Sequence, residues 1–288
     1  MTYRRLIPLL LLALLPAGCR LPLSPDLKHE GASASEFNMT LDYQVWLPDG
    51  YESEPERTYP VLVWFHGGGE NEYGWGRQGR IGEIVNKRVR RNELQPFIVV
   101  SPSAGTFRPI MRTYELLLRD HVLPEVRKKY RANDVTVAFG HSMGGLSALM
   151  VALRNPQMFK AVAAASPFVF DTTPWDTPEQ KQAYEEKYGD GFLQQYRYQV
   201  KTEFNTREQY DQWAPFSLIR AMDGPPGFEL LLTVGEDDPL GLFSHVTHLH
   251  EVMLDHNLSH EWRVQNDTGH GTVEDPYLMD WLTERAHE

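Results

Sequence analysis

The stretch that leaves this chain the least choice of fold is Gly140-His141-Ser142-Met143-Gly144-Gly145. It follows directly on an apolar run, Val135 to Phe139, and directly precedes Leu146 to Arg154, a helical stretch that stops at Asn155-Pro156. A serine held between a strand and a helix in so few residues sits on a sharp turn that lifts its hydroxyl above the sheet. Glycines flank it because side chains there would collide with neighbouring backbone. The G-x-S-x-G pattern alone is common; between a strand and a helix it reads as a nucleophile elbow, with Ser142 as the nucleophile of a layered α/β fold.

The remaining patterning agrees with that class. Leu41, Tyr43, Val45 and Leu47 alternate with mostly polar neighbours and end at Pro48-Asp49-Gly50, as a strand closed by a turn does. Pro60 to Phe65, Phe97 to Val100, Ala161 to Ala165, Phe228 to Val234 and Glu261 to Val264 read as further short strands, the first a continuous apolar run of the kind buried on both faces. Tyr114 to Tyr130 carries Leu117, Leu118, Val122, Leu123 and Val126 at helical spacing, with Pro124 placed to kink it, and Phe243 to His256 supplies another helix. Strands alternating with helices predict a mostly parallel central sheet flanked by helices. Residues 168 to 216 break the rhythm with twelve aromatic residues in that interval, against 11% aromatic in the whole chain. We expect there a helical insert whose rings form their own core while a few, such as an exposed Trp175, overhang the active-site edge.

A serine hydroxyl is a poor nucleophile at neutral pH and needs a base, itself oriented by an acid. In the α/β-hydrolase arrangement these follow in the order Ser, acid, His, from loops beyond the carboxyl ends of strands. The strand Phe228 to Val234 runs into Gly235-Glu236-Asp237-Asp238, which offers three adjacent acids, and Glu261 to Val264 runs into Asp267-Thr268-Gly269-His270, which offers the base. Among the eleven histidines, His245, His248, His250 and His256 fall on or at the end of one predicted helix, where uneven spacing favours a solvated face over a metal site; His66 and His141 are expected to shape the turns they occupy. His66-Gly67-Gly68-Gly69 ends an early buried strand, where bare backbone can approach a developing oxyanion, and the N–H of Met143 would complete that hole.

With these residues in place, the chain resembles the putative esterase (esterase D-like) family of α/β-hydrolases over about residues 40 to 285. The resemblance rests on Tyr43-Gln44-Val45-Trp46-Leu47-Pro48-Asp49-Gly50-Tyr51, on Tyr59-Pro60-Val61 leading into His66-Gly67-Gly68-Gly69, on the Gly140 to Gly145 motif, on the Gly235 to Asp238 turn and on Gly269-His270. It implies a serine carboxylic-ester hydrolase with Ser142, Asp238 and His270 as its triad, Gly68 and Met143 lending the oxyanion N–H groups, and no metal or cofactor. It further implies esters linked to carbohydrate or aromatic acids as substrates. An acyltransferase to a sugar or alcohol acceptor and a catalytically silent surface binding module are the alternatives.

At 288 residues and 41% hydrophobic content the chain suffices for one catalytic domain. A formal charge of −11, with no basic cluster after the N-terminus, argues against nucleic acid as a partner. Arg4 and Arg5 precede an apolar run from Leu6 to Leu15 that is too short to span a bilayer and reads as an export signal. Pro16-Ala17-Gly18-Cys19 follows it and resembles a lipobox, and Cys19 is the one cysteine of the chain. The expected organisation is a signal peptide over 1–18, a lipid-bearing Cys19 opening a tether over 19–38, and a catalytic domain over 39–288, held at a membrane through its lipid in the periplasm or at the cell surface.

Overall fold

Strands buried on both faces read as unbroken apolar runs, and such runs form the middle of one eight-stranded sheet in this protein, a computed structural model that describes residues 22–36, 38–77, 80–270 and 275–286. The strands are β1 (Lys28–Glu36), β2 (Met39–Leu47), β3 (Tyr59–Phe65), β4 (Ile98–Ser103), β5 (Ala132–His141), β6 (Ala161–Ala165), β7 (Glu229–Gly235) and β8 (Glu261–Gln265). Their order across the sheet is β1-β2-β4-β3-β5-β6-β7-β8. β1–β2 and β2–β4 pair antiparallel and all other neighbours pair parallel. The helices are α1 (Ile81–Arg90), α2 (Thr113–Leu117), α3 (Leu123–Lys129), α4 (Met143–Arg154), α5 (Pro178–Tyr188), α6 (Leu193–Glu203), α7 (Arg207–Asp211), α8 (Pro215–Arg220), α9 (Leu242–Asp255) and α10 (Pro276–Ala286).

The period-two geometry of a strand sends alternate side chains to opposite faces, and β3 divides accordingly. Val61, Val63 and Phe65 enter a core shared with α3, α4, α8 and α9, whereas Leu62 and Trp64 enter a second core with Trp75, Ile81 and Val85 beside α1 and Leu278, Trp281 and Leu282 of α10. Both faces of the sheet are thus covered, as the alternation of strands and helices predicts. Pro124 also has its expected local effect. It cannot donate an i→i−4 bond, and the chain opens into a π-helical turn, Leu118–Val122, between α2 and α3.

Order begins well before Met39, which corrects the expected tether over 19–38. β1 pairs along its whole length with β2, from Lys28 opposite Leu47 to Glu36 opposite Met39. Only Ala34 of β1 is buried, so apolar periodicity could not reveal it. Edge pairing is carried by backbone hydrogen bonds, assisted here by Ser33 Oγ donating to Asp42 at 2.6 Å and by His29 Nδ1 against Gln44 Oε1 at 2.9 Å. Upstream of β1, Leu23 bridges to Arg77 and the Ser24 N–H donates to the Gly76 carbonyl. Cys19 and the expected signal segment lie outside the described residues.

The aromatic interval holds the helical insert α5 to α8, but its rings do not form a separate core: Tyr196, Phe204, Tyr210 and Phe216 are buried with Phe170 in the same core as β3 and α4. Trp175 is half-buried, not exposed; it packs toward Tyr210 under the Lys201 ammonium, 5.0 Å from its ring centre. The expected solvated histidine face of α9 is likewise corrected. His245 is buried with its Nδ1 2.9 Å from the Tyr184 hydroxyl, and His248 lies 2.9 Å from the Tyr188 hydroxyl and 3.0 Å from Asp171. His250 stacks on Trp262, and of the four only His256 is exposed. The insert docks on α9 and removes that face from water, an event no local pattern records.

Candidate active site

Ser142 has φ 56° and ψ −119°, a left-sided conformation that a non-glycine residue adopts only where its surroundings impose it. The surroundings are explicit. The Ser142 N–H donates to the Ala165 carbonyl at 2.9 Å, and the Ser142 carbonyl accepts from the Phe168 N–H at 3.0 Å. A β-carbon on Gly144 would run into the Phe65 carbonyl, and one on Gly140 into the Gly144 carbonyl. The glycines are therefore required because the first turn of α4 lies directly on the end of β3.

That close approach brings the loop after β3 to the serine. A β-carbon on Gly67 would stand 4.0 Å from Ser142 Cβ and 3.4 Å from His141 Nδ1. His66 holds this loop: its Nδ1 is 2.9 Å from the Gly67 carbonyl and its Nε2 3.1 Å from Ser103 Oγ. These distances suit a neutral ring that donates from Nδ1 and accepts at Nε2, and burial lowers the His66 pKa in keeping with that form. Gly67 is the glycine against Ser142, and Gly68 is the next residue out.

His270 and Asp238 come from the neighbouring strand ends. Backbone bonds from the Glu236 N–H to the Gln265 carbonyl and from the Asp237 N–H to the Thr268 carbonyl, both 3.0 Å, join the exit of β7 to that of β8. A β-carbon on Gly235 would run into the Gly269 carbonyl, so this junction also needs a bare α-carbon. Glu236 and Asp237 are thereby left exposed, and Asp238 turns inward with its side chain fully shielded. One carboxylate oxygen of Asp238 accepts the Leu240 N–H at 2.8 Å, and the other lies 2.8 Å from His270 Nδ1. His270 Nε2 lies 2.9 Å from Ser142 Oγ. A carboxylate only accepts, so the proton is assigned to Nδ1 and Nε2 is left as the acceptor for the serine hydroxyl. Of the three adjacent acids, Asp238 alone is brought to His270.

His141 is a member of this site that its sequence position does not reveal. Its ring centre is 4.7 Å from that of His270, and its Nε2 is buried without a hydrogen-bond partner among the described residues. Burial above all, with His270 and Arg80 nearby, pushes its pKa down to about 3. The ring is neutral through the working pH range and packs beside the imidazole without adding a charge. The insert encloses a separate cavity of about 200 Å³, lined by Asp171, Asp176, Tyr184, Arg207, Tyr210 and Ser217 among others, and neither Ser142 nor His270 lines it. The insert rings placed there by the fold, Tyr184 and Tyr210, face that cavity and not the serine.

This geometry can be set beside known proteins. The chain is similar to an endo-1,4-beta-xylanase/feruloyl esterase of Xylanibacter ruminicola, 36% identical over 132 residues, which is 40% of this chain and 18% of that protein. An endo-1,4-beta-xylanase Y of Acetivibrio thermocellus is 30% identical over 125 residues, 38% of this chain and 11% of that protein. The chain thus spans under a fifth of the length of these curated relatives. Among solved structures, a ferulic acid esterase superposes with a TM-score of 0.63 at 22% identity, over 91% of this chain and 98% of the other. An S-formylglutathione hydrolase from Agrobacterium tumefaciens does so with a TM-score of 0.63 at 18% identity, over 92% and 98%. At those identities the likeness establishes the α/β-hydrolase fold. The family described as Putative esterase matches residues 34–275. That span is most of the chain and holds the serine elbow, the Asp238 turn and His270, and the chain belongs to this putative esterase family.

Proposed function

We propose that the protein hydrolyses carboxylic esters through an acyl-enzyme on Ser142. The observation that carries this reading is the continuous chain of hydrogen-bonding atoms Asp238 Oδ2, His270 Nδ1, His270 Nε2 and Ser142 Oγ, with contacts of 2.8 and 2.9 Å, ending on a serine in an elbow conformation. His270 takes the serine proton as Oγ attacks the ester carbonyl carbon. The tetrahedral oxyanion faces the backbone N–H groups of Gly68 and Met143, each such donor being worth about 10²-fold to 10³-fold in kcat. Collapse expels the alcohol, which takes the proton from the imidazolium. Water, deprotonated by the same imidazole, then releases the acid and restores Ser142. Asp238 holds the tautomer and stabilises the imidazolium throughout.

The substrate class we propose is an ester of an aromatic acid or one linked to carbohydrate, in keeping with the feruloyl esterase named among the relatives. We further propose that the protein is exported and tethered by lipid at Cys19. Purified protein is assayed on p-nitrophenyl acetate, a feruloylated sugar, an acetylated sugar and a peptide amide, with an alcohol acceptor present or absent. Ester turnover that Ser142→Ala lowers by about 10⁶-fold, as in other serine hydrolases, supports the mechanism. Turnover that survives Ser142→Ala refutes it, and ester exchange onto the acceptor in preference to water moves the reading to acyl transfer.

A further inference from the structure

An apolar ring left in water needs a reason when it is rigid and stands beside a reactive group. Among the described residues the exposed large apolar side chains are Phe107, Tyr198 and Leu254, and Phe107 retains 54% of its accessible surface. Its ring lies along the loop that reaches the nucleophile. Phe107 Cδ1 would be 3.5 Å from a β-carbon on Gly68, and Phe107 Cζ 3.7 Å from one on Gly69. Gly67, the preceding residue, is the one against Ser142. The ring and the serine are therefore separated by about two residues of bare backbone, with Gly68 between them.

The loop that carries Phe107 is pinned on both sides of it. The Gly69 N–H donates to the Thr106 carbonyl at 2.7 Å. Arg108 donates from Nε and Nη2 to Glu203 at 3.1 and 2.9 Å, the Ile110 N–H donates to Ser147 Oγ at 3.0 Å, and Arg112 donates to the Glu203 carbonyl at 2.6 Å. Ile110 and Met111 are buried, so the loop spends its other apolar residues on the core and presents this one ring. Exposure of Phe107 thus comes from how the loop is held.

We propose that Phe107 is the aromatic wall of the acyl subsite, receiving the flat ring of an aryl acid joined to the ester carbonyl through a short spacer. The proposal rests on the ester-hydrolase reading of Ser142 and adds the residue that selects the acyl group. In this subsite the carbonyl oxygen of the ester lies toward Gly68, the acyl chain runs along the glycines that separate Ser142 from Phe107, and its ring packs against the Phe107 ring. Offset or edge-to-face contact between rings then favours an arylpropenoyl group over a small alkyl one.

The experiment compares kcat/KM for methyl 3-phenylpropenoate and methyl acetate, which share the same alcohol, in the full-length protein and its variants. Phe107→Ala is expected to lower the aromatic-to-acetyl ratio about tenfold, mostly through KM; Phe107→Leu, which keeps apolar bulk without a ring, lowers it similarly, and Phe107→Trp restores it. Leu254→Ala, an exposed apolar residue on α9, keeps the wild-type ratio. Thermal melts accompany each variant, and a Phe107→Ala protein that fails to fold leaves the Leu and Trp pair to decide. An unchanged ratio in the Leu variant, or equal loss on both esters, with Ser142-dependent turnover intact, overturns the subsite and leaves the ester-hydrolase reading standing. A wild-type protein that turns over neither ester overturns both.

Discussion

Glu236, Asp237 and Asp238 are chemically near-equivalent acids on one turn, and their difference comes from two backbone bonds. The Glu236 and Asp237 N–H groups are committed to the Gln265 and Thr268 carbonyls, which directs those two side chains to water and Asp238 to the imidazole. Asp238→Asn is therefore expected to lower kcat by about 10²-fold to 10⁴-fold with KM little changed, since the amide supports the wrong tautomer. Asp237→Asn and Glu236→Gln should each stay within about tenfold. Steady-state kinetics on one ester check the set, and a fall confined to the Asp237 variant would show that the acid in use is one residue earlier.

At the scale of elements, the docking of the insert on α9 buries His245, which is neutral when folded. His245 is pushed down to about 4, first by burial and then by the neighbouring His248, and His141 beside the elbow is pushed down to about 3. An unfolded histidine titrates near 6.5. Between that value and the folded pKa the unfolded chain binds a proton that the folded chain does not, so stability rises with pH across this window and is lost as pH falls through it. Asp171, which faces His248 together with Arg220, is pushed down to about 2: desolvation alone would raise it, and the bonds from Arg220 and His248 more than offset that. The folded carboxylate therefore stays charged over the same window, and because an unfolded Asp titrates near 3.9 it adds to the slope only at the acid end. Melting temperature is expected to drop steadily from pH 6.5 to 4, and His245→Gln should flatten that slope while lowering the plateau at neutral pH. Melts at half-unit pH intervals measure both, and parallel slopes in variant and wild type would remove His245 from the account.

The molecule as a whole carries β1 as one edge of its sheet, opposite β8 at the other. A chain shortened to begin at Met39 uncovers the backbone N–H and C=O groups of β2, whose Leu41, Tyr43 and Val45 are buried in the intact protein. Such an edge pairs with other chains. The shortened protein is expected to melt lower and to self-associate in size-exclusion chromatography, whereas removal of residues 1–21 alone should leave it monodisperse to the same degree as the parent. For the proposed anchor, Cys19→Ser should leave the precursor uncut or move the protein from the membrane to the soluble periplasmic fraction; acylation of one cysteine gives association without a spanning helix. Fractionation with mass spectrometry of the mature N-terminus checks this, and a mature chain that starts elsewhere and carries no lipid ends the idea.

What the sequence by itself determined is what short-range sterics and periodicity can encode. The spacing of Gly140, Ser142 and Gly144 between an apolar run and a helix admits a strand–turn–helix elbow, and the alternation of apolar runs with helical spacing admits a mostly parallel sheet. The placing of Ser142, of the acids after β7 and of His270 just past the ends of recognisable strands was legible for the same reason. The tertiary structure decided the rest. Asp238 was selected by bonds to residues some thirty positions away, β1 by edge pairing that needs backbone groups and almost no buried side chain, and the partners of His245 by the insert folding onto α9. In each case the deciding interaction joins segments far apart in the chain, and its free energy exists only once the sheet has brought them together.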